Sequence, residues 1–160
     1  LERAEKIHAS ERYIPEFLSV KTAIDNSRLN QTLNTPAIST LFLLADQIDW
    51  MNANGGLAWA DARTKAASNH IYQWADASSY ATPFVSNPDH RSQVVVTIDF
   101  NEDIDAAAIA KVLRANGIVD TDPYRKLGRN QLRVATFTAT ELADVQKLTG
   151  AIDYVVSQLG

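Results

Sequence analysis

From about residue 83 onward the apolar residues alternate between a period of two and a period of 3.6, and that alternation limits the folds open to the chain. Gln93-Val-Val-Val-Thr-Ile-Asp-Phe100 reads as a strand, being rich in β-branched residues. Asp103 or Asp105 then caps a helix carried by Ile109, Val112 and Leu113, and Asn116-Gly117 ends it. Ile118-Val119 reads as a short strand. Leu132 to Phe137 reads as another, with Leu132, Val134 and Thr136 on one face and Arg133, Ala135 and Phe137 on the other. Thr138-Ala-Thr-Glu141 has the form of a capping box, opening a last helix with the stripe Leu142, Val145, Leu148, Ile152, Val155, Val156 and Leu159. This order predicts an α+β domain, a small sheet with helices packed on one face.

The first half is predominantly helical. Residues 1–11 can form a helical turn or two, whereas 12–36 carry many Asn, Ser and Thr and no clean period. Asn34-Thr35-Pro36 reads as a helix start, with Thr35 as N-cap and Pro36 at the first helical position, where free N–H groups face an anion. Ile38, Leu41, Phe42, Ala45, Ile48 and Met51 then keep a helical stripe that Asn54-Gly55-Gly56 stops. A second helix is expected over 57–77, with Ala60, Ala67, Ile71 and Trp74 on one side. Trp50, Trp59 and Trp74 are read as core anchors, and 78–92 as loop.

Charge narrows the partners. A net charge of −4 over 160 residues argues against broad nucleic-acid binding, yet Arg125, Lys126, Arg129 and Arg133 crowd one short loop and strand. An arginine there suits a carboxylate or phosphate, which its fork meets with two parallel bonds; a solvated basic loop is the plainer alternative. The absence of cysteine removes disulfides, thiolate catalysis and cysteine zinc sites. His8, His70 and His90 share no metal-ligand spacing, and no apolar stretch approaches the ~20 residues of a membrane span. Residue chemistry alone therefore reaches a small-anion binder, with a cytoplasmic location as the default. Its two candidate places are the 34–35 helix entry and the Arg125/Arg133 pair.

At those places the sequence resembles the C-terminal part of the phosphoserine aminotransferases, fold-type I enzymes dependent on pyridoxal phosphate. The pieces carrying the likeness are Tyr13-Ile-Pro-Glu-Phe-Leu-Ser19, Asn30-Gln-Thr-Leu-Asn-Thr-Pro36, Arg114-Ala-Asn-Gly-Ile-Val-Asp120 and, most specifically, Tyr124-Arg-Lys-Leu-Gly-Arg-Asn-Gln-Leu-Arg-Val-Ala135. The resemblance implies a homodimer moving an amino group between glutamate and 3-phosphohydroxypyruvate, giving 2-oxoglutarate and phosphoserine. It implies that Asn34 and Thr35 reach the phosphate of pyridoxal 5'-phosphate held by the other subunit. It assigns Arg133 to the substrate α-carboxylate and Arg125 to the substrate phosphate. Tyr124 stands where the family often has histidine, and donates one bond without carrying charge. Residues 1–36 would end the large domain or link it, 37–82 would be a helical linker, and 83–160 the small domain of an enzyme that is α/β as a whole. The Schiff-base lysine of the family finds no match here, so the chain alone is expected to be inactive. Some relatives also act in vitamin B6 synthesis. The other reading kept open is a non-catalytic α+β domain that binds a small anion.

Overall fold

The computed structural model describes residues 1–124 and 126–159, and the chain divides into two compact units, Leu1–Trp50 and Met51–Gly160. The first unit is helical. Helix α1 spans Glu2–His8, a 3-10 turn spans Glu16–Leu18, and α2 spans Val20–Arg28. The α2 helix lies inside the segment expected to be irregular. Its polar residues serve the helix instead of competing with it: Ser19 caps it by accepting from the Thr22 N–H, Lys21 pairs with Asp25 one turn on, and the Asn26 amide donates to the Thr22 carbonyl. Helix α3, Ile38–Ala53, runs out of the unit. It is apolar on most sides and none of its residues is buried: Phe42 is 70% exposed and Leu43 64%.

The second unit holds the core. Helix α4 spans Gly56–Ala77, β1 Ala81–Pro83, β2 Val95–Phe100, α5 Ala106–Ala115, β3 Gln131–Ala135 and α6 Leu142–Leu159. Gly55 makes the turn into α4 at φ 115°, where an added Cβ would also come within 3.1 Å of the Trp59 Cβ. The strands form an antiparallel sheet in the order β1-β2-β3, with Ala81 opposite Phe100 and Arg133 opposite Thr97. Val96, Ile98, Phe100, Leu132 and Val134 point to one face, where α4, α5 and α6 cover them with Ala67, Ile71, Ile109, Leu113, Val145 and Ile152. This is the expected small sheet with helices on one face.

Four local readings change. Ala81–Pro83 is a strand within the expected loop, because a proline is tolerated on an edge where its missing N–H faces no neighbour. Ile118-Val119 is no strand: Asp120 turns left-handed at φ 63°, and two residues are too few to build a ladder. The capping box at 138–141 does not form. Helix α6 opens one turn later, with the Glu141 carbonyl accepting from Val145, while the Glu141 carboxylate pairs with Arg63. Finally, none of the three tryptophans is buried. Trp50 is 40% exposed, Arg63 lies over the half-buried Trp59 ring, and Trp74 packs on the rim of the core with its Nε1–H donated to Asp153. Asp105 caps α5 as read, accepting from the N–H groups of Ala107 and Ala108 at 2.8 and 3.2 Å.

Candidate functional site

Arg133 sits in the middle of β3, opposite Thr97 and on the face away from Leu132 and Val134, so strand alternation alone turns its side chain off the core. Its backbone N–H donates to the Thr121 carbonyl at 3.0 Å, which lays residues 121–124 alongside the strand. The Tyr124 ring consequently lies 5.9 Å from the guanidinium. Asp120, Asp122, Pro123, Tyr124 and Arg133 line a cleft of about 360 Å³.

The half-buried Arg133 has no carboxylate paired with it among the described residues. The acids beside it are held by another arginine. Arg114, in the last turn of α5, reaches Asp122 at 2.8 Å and Asp120 at 3.4 Å. Two backbone features bring these groups together: Gly117 at φ 83° reverses the chain after α5, and Asp120 at φ 63° bends it again. The hydrogen bond from Arg114 holds the Asp122 carboxyl below the usual range, with the charge of Arg133 a smaller contribution, and the same pair raises the Arg114 guanidinium. The cleft thus combines one uncommitted, half-buried cation with two satisfied carboxylates. Chemically it is a place for a carboxylate or phosphate, with Tyr124 able to donate one hydrogen bond.

The other basic residues of the loop divide. Arg125 lies outside the described residues. Arg129 is committed to Asp99 through Nε at 3.1 and 3.2 Å and through its Nη2, and lies 4.9 Å over the Phe84 ring, so it is not a free anion clamp. Gln131, fully buried, donates to Asp99 at 2.8 Å, and nothing among the described residues donates to its Oε1. Lys126 is exposed.

Asn34 and Thr35 belong to the first unit, and both are exposed. Thr35 is not the N-cap: α3 begins at Ile38, and its opening bond runs from the Leu41 N–H to the Ala37 carbonyl at 3.0 Å. Pro36 therefore precedes the helix instead of entering it. The first turn of α3 holds no acidic residue, leaving its N–H groups ready for an anion. Asn34 also lines a shallow groove of about 420 Å³ with Tyr13, Pro15, Glu16, Phe17 and Leu33. An amide, a hydroxyl and free helix N–H groups are a donor set that suits a phosphate; Glu16 is the one group of the groove that opposes it.

The Arg114 and Asp122 pair was not anticipated from the sequence. Its only trace there is an arginine two residues before Asn116-Gly117, followed by the Asp120-Thr-Asp122 doublet.

No protein-family model matches the chain. Over all 160 of its residues it is 63% identical to a phosphoserine aminotransferase of Rhodococcus opacus (strain B4), of which it covers 43%. A solved phosphoserine aminotransferase from Bacillus circulans subsp. alkalophilus shares the fold with a TM-score of 0.83, at 21% identity, over 99% of this chain and 42% of that one. A PLP-bound phosphoserine aminotransferase from Trichomonas vaginalis gives a TM-score of 0.75 at 20% identity, over 89% of this chain and 39% of that one. The chain resembles these proteins along nearly its whole length and spans less than half of theirs.

Proposed function

We propose that this chain is the part of a phosphoserine aminotransferase that grips the substrate by its α-carboxylate, in a cytoplasmic homodimer that makes phosphoserine for serine biosynthesis. The observation that carries the reading is the half-buried Arg133, without an acidic partner among the described residues while the neighbouring acids are bound to Arg114. The 63% identity to a phosphoserine aminotransferase supports it. The amino group passes between glutamate and 3-phosphohydroxypyruvate, giving 2-oxoglutarate and phosphoserine. Such a substrate is anionic at both ends, so two separated cations fix its direction as well as its length. Arg133 takes the carboxylate and Arg125 the phosphate, while Tyr124 closes the cleft over Arg133 and supplies one O–H. A role for the same enzyme in pyridoxine synthesis belongs to this reading.

The cofactor is pyridoxal 5'-phosphate, which when bound supplies the electron sink that amino transfer needs. Asn34 and Thr35 would reach the phosphate of the cofactor held by the other subunit, with the N–H groups at the start of α3 beside them. Their donors fit that group. The remaining contribution of this chain is orientation: a guanidinium fork meeting a carboxylate in two bonds sets the angle at which the substrate's amino-bearing carbon is presented.

Arg133→Ala in the complete protein tests the reading. A charge-assisted bond is worth about 1.5–3 kcal/mol, so kcat/KM for phosphoserine should fall by roughly ten- to a hundredfold or more. The melting temperature should move only as for a surface substitution. Amino transfer that survives the change intact overturns the assignment.

A further inference from the structure

We infer that Arg114 is the positioning residue that keeps the Arg133 cleft open to an anion, by holding Asp122 and Asp120 away from Arg133. The inference rests on the functional reading above and adds to it a residue that touches no substrate. The geometry is specific. Asp120 and Asp122 both line the cleft that Arg133 lines. Counting only those groups, two carboxylates face one guanidinium, and the cleft would repel the anion it is meant to take. Arg114 enters from the last turn of α5, outside the cleft lining, and takes both carboxylates, Asp122 at 2.8 Å and Asp120 at 3.4 Å. With Arg114 present the charges of these four described groups balance, and Arg133 keeps its donors. Without it, among the described residues, the one other cation acting on the Asp122 carboxylate is Arg133. The small effect of Arg133 on the Asp122 carboxyl agrees with this picture.

An arginine at a helix C-terminus has a simpler role available, that of favouring the helix dipole. That role predicts a small stability loss and no dependence on Asp122. The two are separated by a double-mutant cycle in the complete, cofactor-loaded protein, reading KM and kcat for phosphoserine and the affinity for phosphoserine by calorimetry. Arg114→Ala should raise KM and Kd by about fivefold, the scale of one partly screened charge pair, with kcat unchanged. Adding Asp122→Asn to that variant should bring both back to within about twofold of the wild type, because the competing carboxylate is gone. The inference is overturned if Arg114→Ala leaves KM and Kd unchanged, or if the double variant stays as weak as the single. Should Arg114→Ala fail to fold, Asp122→Asn alone decides: it should bind phosphoserine at least as tightly as the wild type, and weaker binding overturns the inference. A wild type that binds phosphoserine while neither substitution alters that binding removes Arg114 alone. A wild type blind to phosphoserine removes the functional reading, and the inference with it.

Discussion

Tyr80 shows how one half-buried tyrosine ties the sheet edge to the last helix. Its ring lies flat against Phe100 with centroids 6.2 Å apart and edge-on to Trp74, while its O–H donates to Asp153, which also accepts from the Trp74 indole at 2.8 Å. Burial raises the phenol above its ordinary value first, and the Asp153 carboxylate raises it further. The sign of the linkage follows. A folded-state value above the unfolded ~10 means that the contribution is complete below pH ~10 and is lost as pH rises through that value toward the folded one. Melting curves between pH 8 and 11 should therefore fall more steeply for the wild type than for Tyr80→Phe, which has no phenol to ionise; parallel curves would refute this. At this scale the sequence was a fair guide to single residues and a poor one to pairs. Arg133 was legible because alternation along Leu132, Arg133 and Val134 puts it off the core. The pairing of Arg114 with Asp122, and of Arg129 with Asp99, needs tertiary closure: two left-handed residues in one case, a strand neighbour in the other. Neither is encoded in local spacing.

Among the elements, the joint between α5 and β3 turns on Asn130. Its Oδ1 accepts from the Ala106 N–H at 2.9 Å, and its amide donates to the carbonyls of Phe100, Asn101 and Ile104. One side chain thus pins the end of β2, the turn beyond it and the start of α5, just before β3 begins. Asn130→Ala leaves those groups unpaired, two of them on the buried Ala106 and Phe100, and should cost about 1–3 kcal/mol in denaturant unfolding. A loss below the error of the measurement would show that the network adds nothing. Helices α4, α5 and α6 and the two longer strands were readable because each buries a periodic face, and α3 because its apolar stripe keeps a helical period. What escaped was governed by other forces: β1 by pairing with β2 rather than by its own composition, and α2 by polar contacts along its own turns. The start of α6 shifted because Glu141 finds Arg63, a partner far along the chain, in place of the local N–H a capping box offers.

For the whole molecule, the decisive fact is where the apolar burial lies. Every buried hydrophobic residue falls between Ala67 and Val155, inside the second unit, whereas α3 leaves Ile38, Leu41, Phe42, Leu43 and Leu44 exposed. An apolar face of that extent is more than an isolated soluble helix normally shows. Two consequences follow for the polypeptide studied as it stands. Residues 51–160 should fold without the first fifty, since they carry the sheet, the three helices covering it and the Arg133 cleft. Their thermal transition should stay cooperative and lie within about 5 °C of that of the 160-residue chain, as expected when little stabilising burial is removed. The shorter chain should also remain at its monomer size when concentrated, while the longer one shifts toward larger species as exposed leucines and Phe42 find one another. Circular dichroism melts and sedimentation at two concentrations read both. Loss of the cooperative transition on removing residues 1–50 would mean that the first unit supports the core in a way its own burial does not reveal.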